Sequence, residues 1–198
     1  MKKIILIGAG GHAKSCLDVI LLSKKFKVIG FIDKKKNNFL NYKILGDESY
    51  LKKKNSLMNL HISFGFISSP LKRQKLFNKF SLMGFKFPAI ISPKSQVSKY
   101  SKILDGTIVH HFALVNFGVI IGYNSIINTA AILEHGVKVG SNCHVSTRAV
   151  VNGEVEINDN TFIGSGAIIR EGIKIGRNCV IGMGQIVRRD LKDDTYLR

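Results

Sequence analysis

The chain has 198 residues, 45% of them apolar, and carries a formal charge of +17. No run approaches the eighteen or more apolar residues of a membrane span, and Met1-Lys2-Lys3 leads directly into a strand, so a cytoplasmic protein without membrane contact is expected. Cys16, Cys143 and Cys179 have neither paired nor metal-ligand spacing and read as buried thiols, with no metal site.

The first elements in the chain are those of a small α/β unit. Lys3-Ile4-Ile5-Leu6-Ile7 predicts a strand, Gly8-Ala9-Gly10-Gly11-His12 a glycine turn, and Ala13 to Leu22 a helix, an order that aims backbone N–H groups and a helix dipole at a phosphate. Val28-Ile29-Gly30-Phe31-Ile32 is a second strand ending in Asp33; a third is expected over Leu60 to Phe66, then a helix from about Pro70 to Met83. Residues 1–88 hold 18 Lys and Arg against 4 Asp and Glu, a net of +14, whereas the remainder nets only +3. Much of the excess is scattered lysine (Lys34, Lys35, Lys36, Lys52, Lys53, Lys54) with no aromatic platform or groove-reading motif, so no nucleic-acid partner is expected and an anionic small substrate is the milder use of the field. Gly8-x-Gly10-x-x-Ala13 with Asp33 downstream also fits a dinucleotide fingerprint, but no second mononucleotide half follows.

From Ile91 to Val187 an apolar residue recurs at every sixth position, seventeen times: Ile91, Val97, Ile103, Val109, Val115, Ile121 and onward. The residue two before is small or aliphatic, and the residue after is often Gly or Asn, which tolerate positive φ and are expected to make the turn. A six-residue period fits neither a helix nor an isolated strand. Three hexads make a triangular coil of about eighteen residues, and coils stack so that Val145, Ile163 and Ile181 form an inward column. The expected architecture is an α/β Rossmann-like unit over residues 1–86 followed by an all-β left-handed parallel β-helix (hexapeptide repeat) over 87–198; general rules of parallel crossovers favour the other hand, and the left hand comes from the hexapeptide pattern.

Three segments together, Gly8-Ala9-Gly10-Gly11-His12, Asn128 through His135, and Cys143-His144-Val145-Ser146, resemble the hexapeptide-repeat sugar O- and N-acetyltransferases of the sialic acid O-acetyltransferase and UDP-4-amino-sugar N-acetyltransferase type. The resemblance implies a homotrimer with acetyl-CoA as co-substrate between neighbouring prisms and a nucleotide-linked or acidic sugar on the N-terminal unit, serving surface glycan synthesis. It makes His135 the general base, assisted by Glu134, with His144, the Gly153 N–H, Ser165 and Met183 on the cofactor. It assigns Gly10, Gly11, His12, Asp33, Lys34, Gly65 and Asn128 to the sugar nucleotide. Thr147, Ser165 and Met183, one coil apart, should stack on the prism exterior.

The chain departs from that pattern in two places. The family commonly carries a carboxylate directly after the base, where this sequence has Gly136, and Asp190 to Arg198 stops before the Gly-x-Pro-Ala-Lys segment that often closes over CoA. The preferred acceptor is a UDP-linked 4-amino-4,6-dideoxy sugar, with a sialic or nonulosonic acid hydroxyl as the alternative. A catalytically silent trimeric scaffold binding CoA or sugar, and then an NAD oxidoreductase, are the readings of other classes.

Overall fold

The computed structural model describes residues 1–34, 39–52 and 58–198; Lys35, Lys36, Lys53 and Lys54 lie outside the described residues. The apolar runs near the N-terminus form a four-stranded parallel sheet ordered β3-β2-β1-β4, from β1 (Lys2–Ile7), β2 (Phe26–Ile32), β3 (Ile44–Gly46) and β4 (Asn59–Ile62). The edge strand β3 was not foreseen, since three residues carry too little pattern to signal a strand. β4 is shorter than expected because the chain leaves the ladder at Ser63, whose hydroxyl donates to the carbonyls of Ile7 and Gly8. Helix α1 (Gly11–Ser23) starts on the glycine turn and buries Ala13, Cys16, Leu17 and Ile20, one stripe at helical spacing. It ends where Lys24 turns left-handed at φ 55°. Helices α2 (Glu48–Lys52) and α3 (Leu71–Leu82) pack with the opposite face of the sheet, around Leu51, Leu60, Leu76 and Phe80.

From β5 (Ile90–Ile91) to β21 (Ile186–Val187), two-residue strands follow one another at six-residue intervals, and β22 (Tyr196–Leu197) closes the series. They form three parallel sheets, the faces of a left-handed β-helical prism. Each strand pairs with the one eighteen residues on: Ile127 with Val145, Val145 with Ile163, Ile163 with Ile181. The core is a column of aliphatic side chains with essentially no exposure. The last coil is tighter, since Val180 pairs with Tyr196 at a separation of sixteen.

One expectation about the turns is corrected. The left-handed residues lie three positions after the inward aliphatic residue, not directly after it: Asn124, Asn142, Asn160 and Asn178 form one such series, with φ between 53° and 65°. The glycine directly after the inward residue answers a different demand, close stacking of coils. A β-carbon on Gly122 would lie 2.5 Å from the carbonyl carbon of Gly140, and one on Gly140 would lie 2.7 Å from the amide nitrogen of Asp159.

The α/β unit sits on one face of the prism. Ile90, Ile108 and Ile126 point outward from that face and are fully buried with Ile4, Leu6, Cys16 and Ile20 in one continuous core. No described helix is long and apolar enough to cross a membrane.

Candidate functional site

His135 follows β12 (Ile132–Leu133) at a prism corner, with its side chain 64% exposed. Inside so narrow an aliphatic column an imidazole would be stranded, so the corner turns it outward. Its ring lies over Gly153, one coil on, where a β-carbon would come within 2.6 Å of Cε1 and 2.7 Å of Nε2. A side chain at 153 would displace the imidazole from this position. The Gly153 N–H donates to no acceptor among the described residues and remains available beside the imidazole. Nδ1 of His135 lies 3.7 Å from Oε1 of Glu154, which is 69% exposed. Glu134 is turned elsewhere: its Oε2 accepts from Nδ2 of Asn116 at 2.8 Å.

His144 occupies another face. It lies in β14 (His144–Val145), 7% exposed, where the α/β unit meets the prism. Its Nδ1 donates to the Phe66 carbonyl at 2.9 Å, which leaves Nε2 to accept from the Asn128 amide at 3.2 Å. Gly65 lies beside the ring, where a β-carbon would sit in ordinary contact, 3.5 Å from Cε1 of His144. His12 completes the cluster, 6.3 Å from His144 and 5.2 Å from His110 between ring centroids. Burial holds all these rings in their neutral form: His12 and His144 are pushed down to about 4 and His110 to about 3, and fully buried His61 titrates well below the ordinary value. Nε2 of His12 and both nitrogens of His110 and of His61 are buried without a hydrogen-bond partner among the described residues.

A cleft of about 600 Å³ opens at the carboxyl ends of β1, β2 and β4, where open α/β sheets take ligands. Gly8, Ala9 and Gly10 form its floor, and its rim carries Lys34, Lys52, Lys72 and Lys79 against Asp33, Asp47 and Glu48, with Lys79 paired to Glu48 at 2.7 Å. Gly10 caps α1 without any side-chain cap, so the helix start keeps backbone N–H groups for an anion. Asp33 has a structural duty here, since its Oδ2 accepts the Ala9 N–H at 2.7 Å and fixes the turn.

The residues singled out in the sequence therefore fall into three groups. His135 and Gly153 meet at one corner; His12, Gly65, Asn128 and His144 meet at the junction; Gly10, Asp33 and Lys34 line the cleft. Ser165 belongs to the next corner, its hydroxyl 2.9 Å from that of Ser146, and Gly166 and Gly184 donate to the carbonyls of Thr147 and Ser165 in the expected stack, with Met183 fully outward.

Two residues escaped the sequence reading. Arg73 is buried, and its guanidinium donates to the carbonyls of Ile62, Phe64 and Asn124 and to Oδ1 of Asn124, tying α3 and the end of β4 to the prism. Its signal was helical spacing, three before Leu76 and seven before Phe80 on the buried face. Glu154 is the other. His12, Cys16 and His110 bring donor atoms within 4.8 Å of one another, a set whose chemistry suits zinc. Arg73 acts on the same buried chamber, lowering His12 and His110 electrostatically, and a divalent cation would meet that charge.

Comparison with known proteins matches the two halves separately. The PglD N-terminal domain profile covers residues 3–80, and the hexapeptide repeat of succinyl-transferase covers 117–152 and 154–189. No curated protein matches the sequence significantly. PerB from Caulobacter crescentus, solved with CoA and GDP-perosamine, is 28% identical with a TM-score of 0.90 over 99% of this chain and 93% of that one. The acetyltransferase domain of PglB from Neisseria gonorrhoeae shares the fold at 24% identity and a TM-score of 0.93, covering 99% and 96%. WeeI from Acinetobacter baumannii does so at 20% and 0.88, covering 99% and 96%.

Proposed function

We propose that this chain, a hexapeptide-repeat acetyltransferase with a PglD-type N-terminal domain, moves the acetyl group of acetyl-CoA to the amino group of a nucleotide-linked amino sugar. The family resemblance supports acetyl-CoA as co-substrate, as do the CoA complex of PerB and the acetyl-CoA complex of the PglB domain. GDP-perosamine in PerB supports an amino-sugar nucleotide as the acceptor class, and the finer reading is a UDP-linked 4-amino-4,6-dideoxy sugar.

The observation that carries the proposal is the exposed imidazole of His135 lying over Gly153 with an unused N–H beside it. The amine nitrogen attacks the thioester carbonyl, the C–S bond breaks, and CoA departs as thiolate. His135 accepts the proton that the nitrogen sheds and returns it to the sulfur, giving the amide and free CoA thiol. The Gly153 N–H faces the oxygen on which negative charge develops. The lysine-lined cleft and the open start of α1 suit the diphosphate of the sugar nucleotide.

The base stands at one corner of the prism and Ser165 and Met183 at another, with a full face between them, while His144 lies on the face under the α/β unit. A homotrimer resolves this, since threefold symmetry sets the His135 corner of one copy against the next corner of its neighbour.

Release of CoA thiol from acetyl-CoA, measured over a panel of UDP- and GDP-linked amino sugars and sialic acids, tests the reading. Turnover on an amino-sugar nucleotide, reduced roughly a hundred- to ten-thousandfold in His135→Ala, is expected. Unchanged turnover in that variant would remove the base assignment, and saturable CoA binding without turnover on any acceptor would favour a silent scaffold.

A further inference from the structure

The residue after His135 is Gly136, so the chain lacks a carboxylate where one would directly follow the base. Stacking supplies another. Gly136 lies under Glu154 of the next coil, and a β-carbon on Gly136 would land on the Glu154 carboxylate, 2.5 Å from its Cδ. The same carboxylate reaches Nδ1 of His135 at 3.7 Å, and the backbone N–H of Glu154 donates to the His135 carbonyl at 2.9 Å, which fixes the two residues in register. Glu154 holds φ 60°, a left-handed conformation that costs a non-glycine residue energy. Glu134, the neighbouring acid in sequence, is committed to Asn116.

We infer that Glu154 is the positioning residue for His135. At 3.7 Å its carboxylate acts on Nδ1 as a neighbouring charge rather than through a formed hydrogen bond; it favours the Nδ1–H tautomer, which leaves Nε2 as the basic nitrogen, and it stabilises the imidazolium formed on proton transfer. Gly136, itself left-handed at φ 69°, leaves open the space over which this carboxylate lies. The inference rests on His135 being the base, as proposed above.

Three full-length variants and one spectroscopic reading test it. In Glu154→Ala, kcat on the acceptor used by the wild type should fall roughly tenfold, short of the roughly hundredfold or greater loss in His135→Ala. KM values for both substrates should stay within about twofold, and the acid side of the pH–rate profile should move to lower pH. Glu154→Ala with Gly136→Asp, which returns an acid to the other side of the same space at a residue type tolerant of left-handed φ, should recover most of the lost kcat. Glu154→Asp should retain part of it. Nitrogen-15 NMR of the His135 ring should report the Nδ1–H tautomer in the wild type and a mixture in Glu154→Ala.

Wild-type kcat and pH profile in Glu154→Ala, with His135→Ala inactive, would overturn this inference and leave the base standing. Full activity in His135→Ala would overturn the base reading, and an unchanged tautomer in Glu154→Ala would then overturn the pairing itself.

Discussion

The prism interior and the junction beneath the α/β unit are equally buried and built by opposite rules. Inside the prism every coil repeats the last, the side chains are aliphatic or small, and each buried hydroxyl reaches a carbonyl: Thr107 Oγ1 to Gly122, Ser125 Oγ to Gly140, Thr161 Oγ1 to Gly176. At the junction four imidazoles and a guanidinium are packed together, and five ring nitrogens have no partner among the described residues. Repetition satisfies polar groups automatically, because what one coil offers the next accepts. A junction between two dissimilar units has no such guarantee, and the rings left unpartnered there are candidates for function rather than stability.

The largest effect that would break this contrast is expected from Arg73→Met. Three carbonyl oxygens and the Asn124 side chain lose a charged donor, at roughly 1–3 kcal/mol for each orphaned group, partly offset by no longer burying a cation. A loss of about 3–5 kcal/mol is expected in the α/β unit, with the prism little affected. Urea unfolding followed by a probe in each half should then separate into two transitions. A single transition at the original midpoint would mean that the apolar contacts of Ile90, Ile108 and Ile126 hold the junction alone.

A change of pH sharpens the same contrast more gently. In the unfolded chain histidines take up protons near pH 6.5, whereas folded His12 and His144 do so near 4 and His110 near 3, chiefly because burial penalises the cation. Between those limits the unfolded state binds more protons, so stability is complete above about pH 6.5 and declines as pH falls, by up to about 1.4 kcal/mol per pH unit for each group. His110→Met should remove one of these protons and flatten the decline between pH 6.5 and 4, read relative to the variant's own stability at pH 8. Urea midpoints across that range measure it; an equally steep decline in the variant would place the proton uptake elsewhere.

The hexad made the prism legible from Ile91 to Val187, down to the column of Val145, Ile163 and Ile181, because each strand pairs with one at a fixed separation. The same arithmetic would have reached Glu154, eighteen beyond Gly136, had the carboxylate missing from position 136 been sought in the next coil instead of the same strand. The turn residues were misassigned because glycine has two uses, positive φ and close backbone approach, and composition alone does not separate them. The meeting of His12 with His110 was not legible, since it depends on how α1 lies across the prism face and on no spacing within the chain.

The smallest effect concerns Cys143, which in the sequence reads as a buried thiol. Here it stands in the column of Thr107, Ser125, Thr161 and Cys179, where each residue does a hydroxyl's work. Its Sγ donates to the Asn158 carbonyl at 3.2 Å, while its N–H donates to Ser125 Oγ at 3.0 Å. Burial pushes the thiol up to about 12, so it is inert at neutral pH. Cys143→Ser should therefore change the urea midpoint by the equivalent of about 1 kcal/mol or less, because oxygen makes the same bond, whereas Cys143→Ala removes the donor and leaves the Asn158 carbonyl short, at roughly 1–3 kcal/mol. Alkylation of the wild-type thiol should appear only on unfolding. If Ser and Ala prove equally costly, then the volume of the sulfur and not its hydrogen bond fills that slot. The prism interior would then be held by packing alone, and its difference from the junction would lie in shape and not in polar satisfaction.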